Sequence, residues 1–187
     1  MRGRRSRRAG YRLDSPTSRT SPGLLCAGVK GVDVPETVYG LPVHPLVVHA
    51  AIVLIPVTAL LAVIISLSQD RRTRWGVLTW ILATAAWAAT IAAKFSGENL
   101  ETSLYPEVTP LVTAQHADYG SSSVWFGLAL WLSVSAVVLL DLDRRRRDGF
   151  GSPLLPTIVA VLTIVAAMAA TGQVLLTAWT GADARWG

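Results

Sequence analysis

Three histidines and a few carboxylates are the side chains on which any metal or redox chemistry of this 187-residue chain would rest. His44 and His49 stand in "GLPVHPLVVHAAIVLIP", and His116 and Asp118 in "AQHADYG". Glu98 and Glu101 fall in "SGENLE", Gln173 in "ATGQVLL", and Asp183 in "WTGADARWG". Mixed imidazole and carboxylate donors suit zinc, iron, copper or manganese better than calcium. Two imidazoles alone suit the iron of a single b-type haem. Cys26 is the lone cysteine, which excludes an internal disulfide and any cysteine-based cluster. There is no nucleophile–base constellation, phosphate loop or zinc-protease spacing, so no catalytic residue is assigned.

The elements that must position these residues are apolar. Uncharged runs cover 46–68, 75–93, 119–140 and 153–182. About 20 apolar residues at about 1.5 Å each cross the hydrocarbon of a bilayer, and all four runs are long enough. A soluble four-helix bundle would need polar outer faces, which these runs lack. The expected fold is therefore an all-α integral membrane protein, a four-transmembrane-helix antiparallel bundle. Its spans fall near 46–68, 75–95, 119–141 and 154–179, with short cytoplasmic loops and one longer outer loop. Pro56 is expected to kink the first helix. Alanine-rich stretches should allow close helix approach, and Trp75, Trp125, Trp179 and Trp186 lie near span ends as an aromatic belt.

Charge sets the orientation. Arg71, Arg72 and Arg74 follow the first span and Arg144 to Arg147 follow the third, whereas 96–120 holds only acidic charges. Basic loops stay cytoplasmic, so the acidic connection and both termini are expected outside. All three histidines then share the outer face with the acidic cluster. Pro45 suits the first helical position, which makes His44 an interfacial cap. His49 lies one turn deeper and is the leading candidate for a buried ligand, with Gln173 at a comparable depth on the fourth helix. The plainer reading makes His49 helix glue, bonded to Gln173 or a backbone carbonyl.

The first 30 residues hold eight of the 17 basic residues against the single acid Asp14, whereas the remainder holds nine basic and 11 acidic residues. The formal net charge of +5 thus belongs to a basic arm, residues 1–37, that has no apolar periodicity and reads as disordered. "RRSRRAG" is followed only by "LLCAGV", too short for a signal peptide. The arm conflicts with an external N-terminus, and three explanations compete: an inverted bundle, a translocated arm, or an arm that is never made because translation starts at Val29, Val32 or Val34. An intact native peptide covering Arg4 to Arg19 would overturn the last of these. A lone arginine run gives no specific nucleic-acid partner.

"GLPVHPLVVHAAIVLIP", "SGENLE", "HADYG" and "GADARW", in that order, resemble a bacterial family of predicted four-helix membrane proteins, domain of unknown function 2231. The resemblance spans about 38–187. It implies His44, Pro45, His49, Gly97–Glu98, His116 and Gly181–Ala182 as marked positions, and a bacterial inner-membrane location. Thr180 departs from a "GHSGA"-like pattern, which weakens the case for a ligand from the fourth helix.

Three functions follow. The first is a redox-associated subunit binding a metal (zinc, iron or copper) or one b-type haem. His49 and His116 would be the haem ligands. His44, His49, His116, Glu98 and Asp183 are the candidate metal ligands, with Gln173 and Glu101 behind them. The second is a structural or partner-binding subunit with histidines as glue. The third is a small transporter, disfavoured because no repeat of the two halves is evident. Beyond the lipid bilayer, a redox partner protein is expected and the oligomeric state is open.

Overall fold

A computed structural model describes residues 37–38, 41–146 and 154–186. The basic arm and the candidate starts Val29, Val32 and Val34 lie outside the described residues, as does Arg147. Two short strands, β1 (Thr37–Val38) and β2 (Leu41–Pro42), pair antiparallel ahead of the first helix. Four helices follow: α1 (Val43–Leu67), α2 (Gln69–Leu104), α3 (Leu111–Arg146) and α4 (Leu154–Trp186). All four are long and apolar enough to cross a membrane. The fold is all-α, an antiparallel four-helix bundle.

The helices overrun the hydrophobic runs. α2 and α3 have 36 residues each, about 54 Å at 1.5 Å per residue, against roughly 30 Å of hydrocarbon. The longer outer loop expected between the second and third spans is therefore mostly helix. Only 105–110 lies between α2 and α3. Pro106 ends α2, with Tyr105 N–H closing its last turn on Glu101 O at 2.8 Å. Pro110 opens α3, its carbonyl accepting from Ala114 N–H at 3.0 Å. At the opposite end, Ser68 alone separates α1 from α2 and takes an extended conformation. Arg72 folds back to donate to Ile65 O and Ser66 O, both at 3.1 Å, satisfying carbonyls that the end of α1 leaves unpaired.

The helices form a ring in sequence order, closed by α4 against α1, while α1 and α3 also meet across the diagonal. Buried positions alternate spacings of four and three. On α3 they are Ser123, Gly127, Leu130, Val134, Val137 and Asp141. α2 buries Thr79, Ala83, Ala86 and Thr90, and α4 buries Thr163, Ala167, Ala170 and Val174. That spacing is the seam of helices crossing at about 20°. In the interior, alanine and hydroxyl side chains pack with Ile55, Ile65, Leu130, Val134 and Val137, while Val53, Leu60, Ile81, Leu139, Val165 and Met168 point outward and are exposed. Only 17% of the apolar window of α4 is buried. In water such a surface would drive association; in lipid it is the appropriate outer face. Hydroxyls buried in the seam mostly bond their own helix, as Thr79 does with Trp75 O at 2.9 Å and Thr163 with Val159 O at 2.7 Å.

Candidate functional site

The site lies where α1 and α3 begin and α2 and α4 end. α1 starts at Val43, so Pro45 falls within its first turn rather than opening it. The first four N–H groups of a helix have no intrahelical acceptor, so proline there removes nothing. His44 is consequently helical, not a cap outside the helix, and half-buried against α2. Its Nδ1 lies 3.1 Å from Ser96 Oγ. The Ser96 hydroxyl also donates to Ala93 O at 3.1 Å, which uses its single hydrogen. With that hydrogen on Ala93 O, the bond from His44 runs Nδ1–H to Oγ. That tautomer leaves Nε2 of a neutral ring with a free lone pair.

His116 is held in the same way by the other hairpin. Its Nδ1 lies 3.1 Å from Thr177 O and 3.4 Å from Thr180 Oγ1. A carbonyl only accepts, so Nδ1 again carries the hydrogen and Nε2 the lone pair. The Thr180 hydroxyl donates back to its own helix, so it too acts as acceptor. Each ring also lies against a glycine. A Cβ at Gly97 would stand 3.0 Å from His44 Cε1, and one at Gly181 would stand 2.8 Å from His116 Cε1. The two halves are thus alike at this end: a histidine in the first helix of each hairpin, and a hydroxyl–glycine pair (Ser96–Gly97, Thr180–Gly181) in the second. The sequence reading found no repeat of the halves; the packing shows this local one.

The two imidazoles meet across the α1–α3 diagonal, ring centroids 6.4 Å apart and planes at 81°. Both line one cavity of about 250 Å³. Its deeper wall is Ile52, Thr90, Ser123, Val174 and Thr177; its rim carries Lys94, Glu98, Glu101, Tyr105 and Asp118. Lys94 is ion-paired with Glu98 one turn on. The rim is therefore acidic around the two imidazoles. Among the described residues, no group of three or more His, Cys, Asp or Glu side chains is close enough to hold a metal ion.

The expected site residues separate on this geometry. His44, His116, Glu98 and Glu101 line the cavity. His49 does not: it is exposed, and its Nδ1–H donates to Pro45 O of its own helix at 2.6 Å. The pairing of His49 with His116 is replaced by His44 with His116. The reason is angular, since five residues along a helix turn about 140° and put the two α1 histidines on different faces. Gln173 does not reach His49 either; it donates to Tyr119 O at 3.0 Å and joins α4 to α3. Asp183 is exposed and lies outside the cavity lining. The sequence reading missed Ser96, Thr177 and Thr180 as partners of the rings. The available signal was the repeated hydroxyl–glycine pair near the end of each second helix.

No curated protein and no solved structure matches the chain significantly. Residues 40–187 match the family model described as predicted membrane protein DUF2231, which excludes the basic arm and includes every residue of the site, and the chain belongs to that family.

Proposed function

We propose that this membrane protein binds one first-row transition-metal ion between Nε2 of His44 and Nε2 of His116, at the outer face of the membrane. The observation that carries the reading is the pair of Nδ1–H bonds. They fix both rings as the tautomer whose Nε2 can donate, the arrangement that backbone carbonyls and hydroxyls give to metal-bound histidines. Two bonds of about 2 Å from one ion, plus the ring radii, put the centroids about 5 Å apart at a tetrahedral angle and about 6 Å when collinear, so at the 6.4 Å found the rings would close in on a tetrahedral ion. Water or a rim carboxylate would complete the coordination. Copper or iron there would make the subunit redox-active toward a partner protein, and zinc would not. A single b-type haem is the less favoured form. Its two propionates would meet Glu98, Glu101 and Asp118, with Lys94 already engaged by Glu98. A carrier is disfavoured because Ile55, Ala59, Leu130, Val134 and Ala170 pack the core below the site.

A second reading has its own support. The same Nδ1–H bonds join α1 to α2 and α3 to α4, so the histidines also act as pins between helices. Metal analysis and the visible spectrum of protein purified in mild detergent separate the two. The expected result is up to one copper, iron or zinc per chain, lost in both His44→Ala and His116→Ala. A Soret band would replace the ion with haem. No bound metal, and no uptake of supplied Cu(II) or Zn(II), would leave the pins alone.

A further inference from the structure

The geometry points to Gly97 and Gly181 as positioning residues, one per hairpin, that set where the Nε2 atoms of His44 and His116 stand. The inference rests on the metal reading but is tested separately from it. Each ring is fixed on two sides. Nδ1–H is tied to the second helix of its own hairpin, and the adjacent Cε1 edge lies on the backbone of a glycine in that helix. A methyl group at either glycine would press against Cε1. At Gly181 the 2.8 Å approach is closer than real Cβ contacts come; at Gly97 the 3.0 Å approach forces a shift of a few tenths of an ångström. What yields is the imidazole, the free end of a side chain, rather than helix backbone. Helix propensity gives no other reason for glycine here, because alanine is the better helix former. Gly172 on α4 shows the contrast, since a Cβ there meets nothing within 4 Å.

The consequence concerns the ligand. The two rings are presented by the same device, with the same tautomer, from two hairpins that run in the same direction. The occupant therefore receives two near-equivalent nitrogen donors. A single cation between the two Nε2 atoms meets that condition.

The experiment uses the full chain in detergent with Cu(II) as probe, read by pulsed electron paramagnetic resonance, together with ¹⁵N-histidine spectra of the metal-free protein. Wild type is expected to show two bound imidazoles. Gly97→Ala and Gly181→Ala should each show one, with affinity lowered about tenfold or more, the scale of losing support behind a metal ligand. Gly172→Ala should keep two. In the metal-free spectra, Gly97→Ala should move only the His44 signals and Gly181→Ala only those of His116. A merely structural glycine would not produce that one-to-one pattern. Both alanine variants keeping two imidazoles and unshifted histidine signals would overturn the inference. Wild type binding no Cu(II) while the one-to-one shifts persist would overturn the metal reading and leave the positioning in place. Gly97→Ala, with the milder contact, carries the test if Gly181→Ala does not fold.

Discussion

At the residue scale the two histidines of α1 are a matched pair of opposites. His44 turns toward Ser96, Gly97 and His116; His49 turns outward to bond its own helix. The metal reading gives them opposite mutational signatures. His44→Ala should abolish stoichiometric metal, whereas His49→Ala should leave both occupancy and stability within about 0.5 kcal/mol of wild type, as for other exposed substitutions. Metal analysis and denaturation of the two variants check this, and equal losses in both would refute the assignment. Ser96→Ala should act between these limits. It removes the acceptor that holds the His44 tautomer, and an affinity about 10–100-fold weaker in a Cu(II) or Zn(II) titration is the expected result. Both ligands must be neutral to bind, so affinity should also fall as the solution is acidified.

At the element scale, the α1–α2 connection at the arginine end is the tightest in the bundle, and one side chain makes it so. Arg72 bridges Ile65 O and Ser66 O, whereas Arg71 is exposed. Arg72→Ala should therefore destabilise the bundle by about 1–3 kcal/mol, the range for losing charged hydrogen bonds to carbonyls left partly desolvated. Arg71→Ala should change it by less than about 0.5 kcal/mol. Unfolding of the two variants in mixed micelles measures the difference. Asp141 belongs to the same end: it is buried on α3 and ion-paired with Arg145 one turn on. On the element scale the sequence made the four helices legible because uninterrupted apolar length is a property of the chain itself. It did not show that α2 and α3 continue past the hydrocarbon. Residues such as Glu98, Glu101 and Asp118 look like loop residues by polarity, yet they sit on the helix turns of α2 and α3.

For the whole molecule, the distribution of charge makes the orientation a prediction. A reporter fused within 141–149 should be cytoplasmic, and one fused after Glu107 should be external, because basic residues are retained inside. Opposite labelling would move the histidine site to the cytoplasmic face and remove the proposal that the ion is held at the outer face. The sequence by itself determined the four spans, this charge asymmetry, and the gathering of all three histidines at one end. Each of these depends only on composition along the chain. The two α1 histidines, both taken from the sequence as candidate ligands, stand about 140° apart around the helix, so they do not both face the bundle centre. Which one faces inward was decided only by tertiary structure. In a water-soluble helix the apolar stripe reveals the buried face. Here lipid makes the outer face as apolar as the core, so Val, Leu and Ile side chains occur on both, as Val53, Leu60 and Ile81 outside and Ile55, Leu130 and Val134 inside show. Hydrophobicity alone does not mark the inside. Only packing brings Ser96 and Gly97 to His44, and Thr177, Thr180 and Gly181 to His116, because those contacts cross 52 to 65 residues of chain.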